Sequence, residues 1–380
     1  MLAIQKFIAE HPADWADLLS AAPYNLYITE QDGFVLFKYN QISSDFNEQI
    51  CKEARGLILD GTDGFKVVRL AFTKFFNIDE PFAAHIDWNT AVATEKIDGS
   101  IMSVWYARGQ WHISTNGTID AFKAPIAGVG RYNNFGELFT SVLNFDTIEK
   151  HLNRRYCYTF ELVSPYTKVV IDYPETALYL LSIRDMASLQ EKTFIPYGFC
   201  EMLGVRFPQE WRLNTEKEYR KIVENMTKGH EGIVVRDAAG QRVKIKTLLY
   251  FEMHRARNNG VLTLERAVGL ILQNDHHEFL SYFPEYTNYF NSLEAIIDGI
   301  FTIANAWDNT GFKEKWEEQF SEKVARKQFA QNFATQMAGG LQALAFKCYD
   351  KGGERWLKFL TPAQWTRVFA HQLSFVKGAV

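Results

Sequence analysis

Near Arg255 the hydrophobic pattern of this chain changes period, and that change sets the fold class. Upstream, apolar and polar residues alternate in short runs separated by turn residues, the period of two that a half-buried strand requires. Leu26-Tyr27-Ile28 and Phe34 to Tyr39 flank Gln31-Asp32-Gly33, which reads as a hairpin. Further strands are expected at 56–59, 67–70, 90–94, 101–106, 111–114, 158–162, 169–171, 178–183, 232–236 and 242–246. Helical pattern covers about Phe135 to Arg154, and residues 4 to 21 with an interruption at His11-Pro12. Downstream of Arg255, Leu262 to Leu272, Tyr289 to Ala306, Lys313 to Gly339 and Ala363 to Phe375 carry apolar residues at helical spacing. The expected fold is therefore α+β. Antiparallel sheets flanked by helices occupy residues 1–255, and an all-helical domain occupies residues 256–380.

The composition narrows the setting more than the chemistry. A net charge of −4 argues against a generic polycation that coats nucleic acid, although it leaves room for a local basic groove. Cys51, Cys157, Cys200 and Cys348 are far apart, so neither a zinc site nor a disulfide framework is expected, and a reducing cytosol is the simplest compartment. No run of eighteen apolar residues marks a membrane span, and the N-terminal residues do not read as a signal peptide.

One pentapeptide carries chemistry. In Lys96-Ile97-Asp98-Gly99-Ser100 a lysine ends one strand and an acid and a glycine precede the next. A tuned lysine can act as an amine nucleophile, and a glycine admits close approach of backbone to a ligand. Four other stretches have the composition of a phosphate-handling site. Arg55 in Glu53-Ala54-Arg55-Gly56 suits a phosphate or a ribose-side acceptor, and Phe75 or Phe76 in Lys74-Phe75-Phe76-Asn77 suits a base. The same residues read equally as a surface arginine and two core phenylalanines. Glu161 interrupts an apolar strand, where it accepts from a ribose, helps hold a cation, or faces solvent on an edge. Glu231 in His230-Glu231-Gly232 reads as a magnesium-associated carboxylate or as an ordinary turn. Lys244 and Lys246 share a strand face, so an anion is needed between them unless the strand is an exposed edge.

In order, Lys-x-Asp-Gly-Ser, Phe-Glu-Leu-Val-Ser-Pro, Glu-Gly-Ile-Val-Val and Lys-Ile-Lys resemble motifs of the covalent nucleotidyltransferases. Arg-Gly followed by Lys-Phe-Phe-Asn, about twenty residues before the lysine, is similar to the bacteriophage RNA ligase 1 family. The resemblance runs from about Tyr39 to Tyr250. It implies a nucleotidyltransferase domain in which Lys96 attacks the α-phosphate of ATP and becomes lysyl-AMP, with Asp98 and Gly99 completing the motif. It further implies that Tyr39, Arg55, Lys74, Phe76, Glu161, Glu231, Lys244, Lys246 and Tyr250 bind the nucleotide. Glu161 and Glu231 would also serve Mg2+, for which Mn2+ can substitute, directly or through water. Where the family carries a basic residue, this chain has Asn116 in Ser114-Thr115-Asn116-Gly117, an amide without charge, and Lys123 would compensate if its loop reaches back.

The resulting expectation is an ATP-dependent RNA ligase that joins 5′-phosphate and 3′-hydroxyl ends through lysyl-AMP and RNA-adenylate. The resemblance favours single-stranded or loop breaks, such as those in a tRNA anticodon loop, and a monomer in the cytoplasm, the host's if a phage encodes it. The alternatives are another covalent nucleotidyltransferase, either a DNA ligase or a GTP-using capping enzyme, and an RNA-binding relative without activity. The helical pattern after Arg255 disfavours the first, whose members carry a β-barrel there. Lys323, Arg326, Lys327, Trp356, Lys358 and Arg367 would form an RNA surface or simply solvated helix faces.

Overall fold

The computed structural model describes residues 1–40, 43–126, 131–167, 169–227, 229–247, 250, 262–272 and 276–309, with isolated positions between 327 and 366. The chain forms two compact units, residues 1–40 with 44–253 and residues 41–43 with 254–380. The first unit is built on three sheets. In the first, β1 (Tyr27–Gln31), β2 (Phe34–Lys38), β3 (Arg55–Asp60) and β4 (Lys66–Arg69) follow one another antiparallel. The second comprises β7 (Ser100–Ala107), β8 (Gln110–Thr115), β9 (Tyr156–Val163) and β10 (Ala177–Asp185) in the antiparallel order β10-β9-β7-β8. The third runs β11-β6-β12-β13-β5, from β5 (Phe76–Asn77), β6 (Val92–Lys96), β11 (Glu210–Trp211), β12 (Gly232–Arg236) and β13 (Arg242–Lys246). Only its β13–β5 pair is parallel.

Alternation sorts the side chains of these strands. On β3, Leu57 and Leu59 join a core with the N-terminal helix Ala3–Glu10, while Ile58 turns the other way. There Ile58, Phe34 and Leu36 meet Trp105 and Cys157, which packs the first sheet against the second. On β9, Tyr158, Phe160 and Leu162 enter a core with helices Phe135–Thr140, Phe145–His151 and Tyr197–Leu203. Each such fully buried side chain contributes roughly 1.5–3 kcal/mol. The same alternation points Glu161 away from that core. In the third sheet, Ala93, Ile233, Val235, Val243 and Ile245 share one apolar face with Tyr219 of helix Glu216–Glu224.

The α+β reading and most of the strands are found as expected, two local expectations are corrected, and two helices are added. Residues 169–171 form no strand, because two of their backbone amides are used by a carboxylate rather than by a sheet. The helix expected from Phe135 to Arg154 is two, since Asn144 Oδ1 accepts from the Thr147 amide at 2.9 Å and caps a new start. Helices Tyr197–Leu203 and Glu216–Glu224 were not foreseen, although Thr215-Glu216-Lys217-Glu218 spells a capping box. Thr215 Oγ1 accepts from the Glu218 amide at 3.3 Å.

In the second unit, helices Leu264–Leu272, His276–Tyr282 and Thr287–Asn309 bury Val268, Ile271, Phe279, Phe290 and Leu293. Most of the two later helices expected from the sequence, and Lys323, Arg326, Trp356, Lys358 and Arg367, lie outside the described residues. Among the described residues, no helix is long and apolar enough to cross a membrane.

Candidate active site

Three adjacent strands deliver the central charges. Gly232 at the start of β12 pairs with Lys96 on β6 and with Lys246 on β13, so Glu231 arrives between two lysines. Lys96 Nζ donates to Glu231 Oε2 at 2.6 Å, and Lys246 Nζ lies 3.5 Å from Glu231 Oε1. Glu231 and Lys246 are almost fully buried, whereas the Lys96 side chain keeps 23% of its surface. The middle strand can come this close only because residue 232 is glycine. Its φ is +151°, and a Cβ there would run into the Ile245 carbonyl oxygen and the Lys246 Cα at 2.7 Å. Lys244 shares the Lys246 face of β13 by alternation and is half-buried.

Asp98 serves this line from behind. One of its oxygens accepts from the Val170 and Ile171 amides at 2.8 and 2.7 Å, and the other from the Tyr250 hydroxyl at 3.2 Å. Burial, and then Glu231, push its carboxyl above the ordinary range. Lys246 Nζ stands 5.3 Å from the centre of the Tyr250 ring, which closes the network. Asp98 thus anchors the residues after the lysine to a distant loop. Gly99 borders the cleft, and packing gives it a further reason to be glycine. Its missing side chain makes room for β9, since a Cβ would collide with the Leu162 carbonyl and lie 3.1 Å from Glu161 Cγ.

In front of Lys96 opens a cleft of about 700 Å³, lined also by Arg55, Gly99 and Glu161. Glu161 is buried on β9, and its carboxyl is pushed up to about 8 by desolvation, with Glu231 and Asp98 adding to the effect against Lys96 and Arg55. Arg55 stacks its guanidinium 4.8 Å from the Phe75 ring centre, and its Nη1 is buried without a hydrogen-bond partner. Phe75 lines the cleft, but Phe76 does not. Phe76 is a buried strand residue paired with Val243.

Two further groups of predicted residues lie apart from the cleft. Lys74 Nζ sits 5.1 Å from the ring centre of Tyr39 and 5.2 Å from those of Phe46 and Phe76, inside an aromatic cage. Burial raises the Tyr39 phenol, but Lys74 and Arg55 outweigh it and hold the group below its ordinary value. Lys74, Phe75 and Phe76 line a second cavity of about 470 Å³, so Phe75 separates the two spaces. Asn116 lies outside both linings and is held by Arg69, whose Nη2 donates to Asn116 Oδ1 at 2.7 Å.

Arg69 is the residue that the sequence reading missed. It is fully buried, donates from Nε to Ser103 Oγ at 3.0 Å, and donates from Nη1 to the Gly56 carbonyl. Burial lowers its guanidinium to about 10. Gly56, at φ +74°, leaves the space that this guanidinium fills. The signal was available: an arginine in Val67-Val68-Arg69-Leu70 is as costly to bury as a glutamate in a strand.

The domain therefore presents a lysine amine, backed by a buried carboxylate and a second lysine, to a wide cleft edged with cations. Residues 53–253, more than half of the chain, match the family model described as RNA ligase. The chain belongs to the bacteriophage RNA ligase 1 family. It is 27% identical over 339 residues to an RNA ligase of Rhodothermus phage RM378, covering 70% of this chain and 76% of the phage protein. It is also 27% identical over 278 residues to a putative bifunctional polynucleotide kinase/RNA ligase of Autographa californica nuclear polyhedrosis virus. That match covers 67% of this chain but only 38% of the viral protein. Among solved structures, a mutant Naegleria gruberi RNA ligase with ATP and Mn matches at 16% identity. It covers 44% of this chain and 52% of that one, with a TM-score of 0.36, too partial a likeness to bear on the site.

Proposed function

We propose that this protein is an ATP-dependent RNA ligase in which Lys96 is the nucleophile. The observation that carries the reading is the line Lys96–Glu231–Lys246 across three strands, with the Lys96 amine opening on the cleft. In the first step the neutral amine attacks the α-phosphorus of ATP, a P–N bond forms, and pyrophosphate leaves. Glu231, 2.6 Å from Nζ, is placed to hold the proton that the amine gives up. An RNA 5′-phosphate oxygen then displaces the lysine to form the RNA-adenylate anhydride. A 3′-hydroxyl finally attacks the 5′-phosphorus, and AMP leaves as the strand closes. Every transfer is in line at phosphorus, so positioning and charge neutralisation supply the rate.

The side chains around the cleft fit these ligands. The unsatisfied Arg55 Nη1 suits a nucleotide oxygen, and Lys244 and Lys246 supply positive charge behind the phosphates. Glu161 on the cleft would hold Mg2+ or Mn2+ directly or through water, and Glu231, with both oxygens facing lysines, would do so through water. The bound ion would neutralise phosphate charge. Glu161 must lose its proton to hold it. The proposed substrate is a single-stranded or loop break, including a tRNA anticodon loop, acted on by a monomer in the cytoplasm.

The test is covalent labelling with radioactive ATP, and separately GTP, in magnesium, followed by denaturing electrophoresis. Wild type is expected to label with ATP alone. Lys96→Ala and Lys96→Arg are both expected to lose the label completely, because an arginine supplies no neutral amine. An AMP adduct surviving in Lys96→Arg overturns the assignment, and labelling by GTP alone favours a capping-type activity.

A further inference from the structure

The cleft extends well beyond the reach of Lys96, and its far end has a chemistry of its own. Alternation along β12 puts Val234 and Arg236 on the cleft face with Gly232, the strand partner of Lys96. Four residues of strand place Arg236 about 13 Å from that partner. There the Glu191 carboxylate faces three arginines, while the neighbouring buried Asp237 accepts from the Asp87 and Gln241 amides. Glu191 Oε2 accepts from Arg184 Nη2 at 3.1 Å, Oε1 accepts from Arg242 Nη2, and Arg236 Nη1 is 3.8 Å from the same oxygen. Burial pushes the Glu191 carboxyl up, but the three guanidinium groups outweigh it and hold it below its ordinary value.

The three arginines are not equivalent. Arg184 is used up by the fold, donating to the Leu70, Ala71 and Leu189 carbonyls at 3.0, 3.1 and 2.8 Å. Arg242 donates to the Gly240 carbonyl at 3.3 Å and to Glu191, and stacks 4.9 Å from the Phe72 ring centre. Arg236 has its Nε buried with no hydrogen-bond partner. A buried donor aimed at nothing, in a cluster where guanidinium groups outnumber the carboxylate they surround, calls for an anion.

Two rings on the same cleft are left in water. Phe194 is 70% exposed and Tyr197 is 69% exposed, and both line the same cleft as Arg236. Exposed aromatics next to a phosphate-binding cation are the two parts of a single-strand platform, in which bases stack and the backbone tracks the charge. We propose that this far end binds the RNA strand whose terminus reacts at Lys96. Arg236 takes a backbone phosphate a short way from the reacting end, and Phe194 and Tyr197 stack its bases. This rests on the ligase reading above.

The test separates the strand from the nucleotide. Arg236→Gln and a Phe194→Ala/Tyr197→Ala double variant are compared with wild type in two assays. One is lysine labelling by ATP. The other is binding of a short 5′-phosphorylated single-stranded RNA by fluorescence anisotropy over a range of salt, with melting temperatures confirming that the variants fold. Labelling is expected to stay within about twofold of wild type for both. RNA affinity is expected to fall about tenfold in each. For Arg236→Gln the slope of log affinity against log salt should shrink by about one, and for the ring variant it should not change. Unchanged RNA affinity in both variants overturns the proposal. So does loss of ATP labelling in folded Arg236→Gln, which would give that guanidinium to the phosphates of ATP. If wild type binds RNA as expected but takes no label from ATP, the ligase reading fails while the strand site stands.

Discussion

Glu231 and Arg69 are both buried charges at the ends of strands, and the domain handles them in opposite ways. Glu231 lies between Lys96 and Lys246, and one of those partners opens on a cleft. Arg69 lies among neutral acceptors, the Gly56 carbonyl, Ser103 Oγ and Asn116 Oδ1, and lines neither of the two cavities described above. In the first region charges are matched with charges and one is left accessible. In the second a cation is sealed by hydrogen bonds that tie β4 to Gly56 on β3, to Ser103 on β7 and to the loop at Asn116. The comparison explains Asn116. The basic residue that the family pattern calls for would stand beside Arg69 with no carboxylate to separate the two, whereas an amide oxygen accepts from it.

That contrast can be broken by experiment, beginning with the largest effect. Glu231→Gln keeps the size of the side chain but removes the proton acceptor and counter-charge beside Lys96. Lysine labelling by ATP, measured well below the melting temperature, is expected to fall about 10²–10³-fold. A loss under threefold would move Glu231 to the structural side of the comparison. Arg69→Met should do the reverse. Three acceptors lose their donor, so stability should drop by about 3 kcal/mol in urea titration, with labelling per folded molecule retained. Loss of labelling in the folded variant would mean that Arg69 acts on the nucleotide after all.

The smallest effect concerns Glu161, which shares the cleft but lacks the balance that Glu231 has. Its folded-state carboxyl is pushed up to about 8, above the ordinary value of 4.5, so the folded protein binds this proton more tightly than the unfolded chain. Stability from that proton is fully present below about pH 4.5 and is lost as pH rises through 8. Between pH 6 and 8 the loss should be about 2 kcal/mol, and Glu161→Gln should flatten that part of the stability–pH curve. An unchanged curve in the variant would remove Glu161 from the charge accounting of the cleft.

How much of this was legible in the sequence depends on the range of the interaction. Strand alternation and the lysine motif are local, whereas only the resemblance put Lys96, Glu231 and Lys246 in one site, and the fold sets the three side by side. The Lys-Phe-Phe-Asn segment shows the limit. The resemblance selected Phe76, but one residue of strand phase decides which ring faces the cleft, and it is Phe75. Val169-Val170-Ile171 has strand composition, yet its amides are taken by Asp98, more than seventy residues away. Arg69 went unnoticed because its partners lie 13, 34 and 47 residues off and none forms a pattern with it. Phe194, Tyr197 and Arg236 belong to no motif, and only the fold shows that they share a space.

The glycine at 232 also fixes when the site comes into being. Lys96 and Glu231 are 135 residues apart in the chain, and the strand that Gly232 opens brings them together. A ribosome that has just released the lysine has yet to make its counter-charge, and closing so long a loop carries an entropic cost that local elements do not pay. The amine therefore meets its carboxylate only after nearly the whole first unit has been synthesised. A chain that stops short of residue 231 carries Lys96 without that partner.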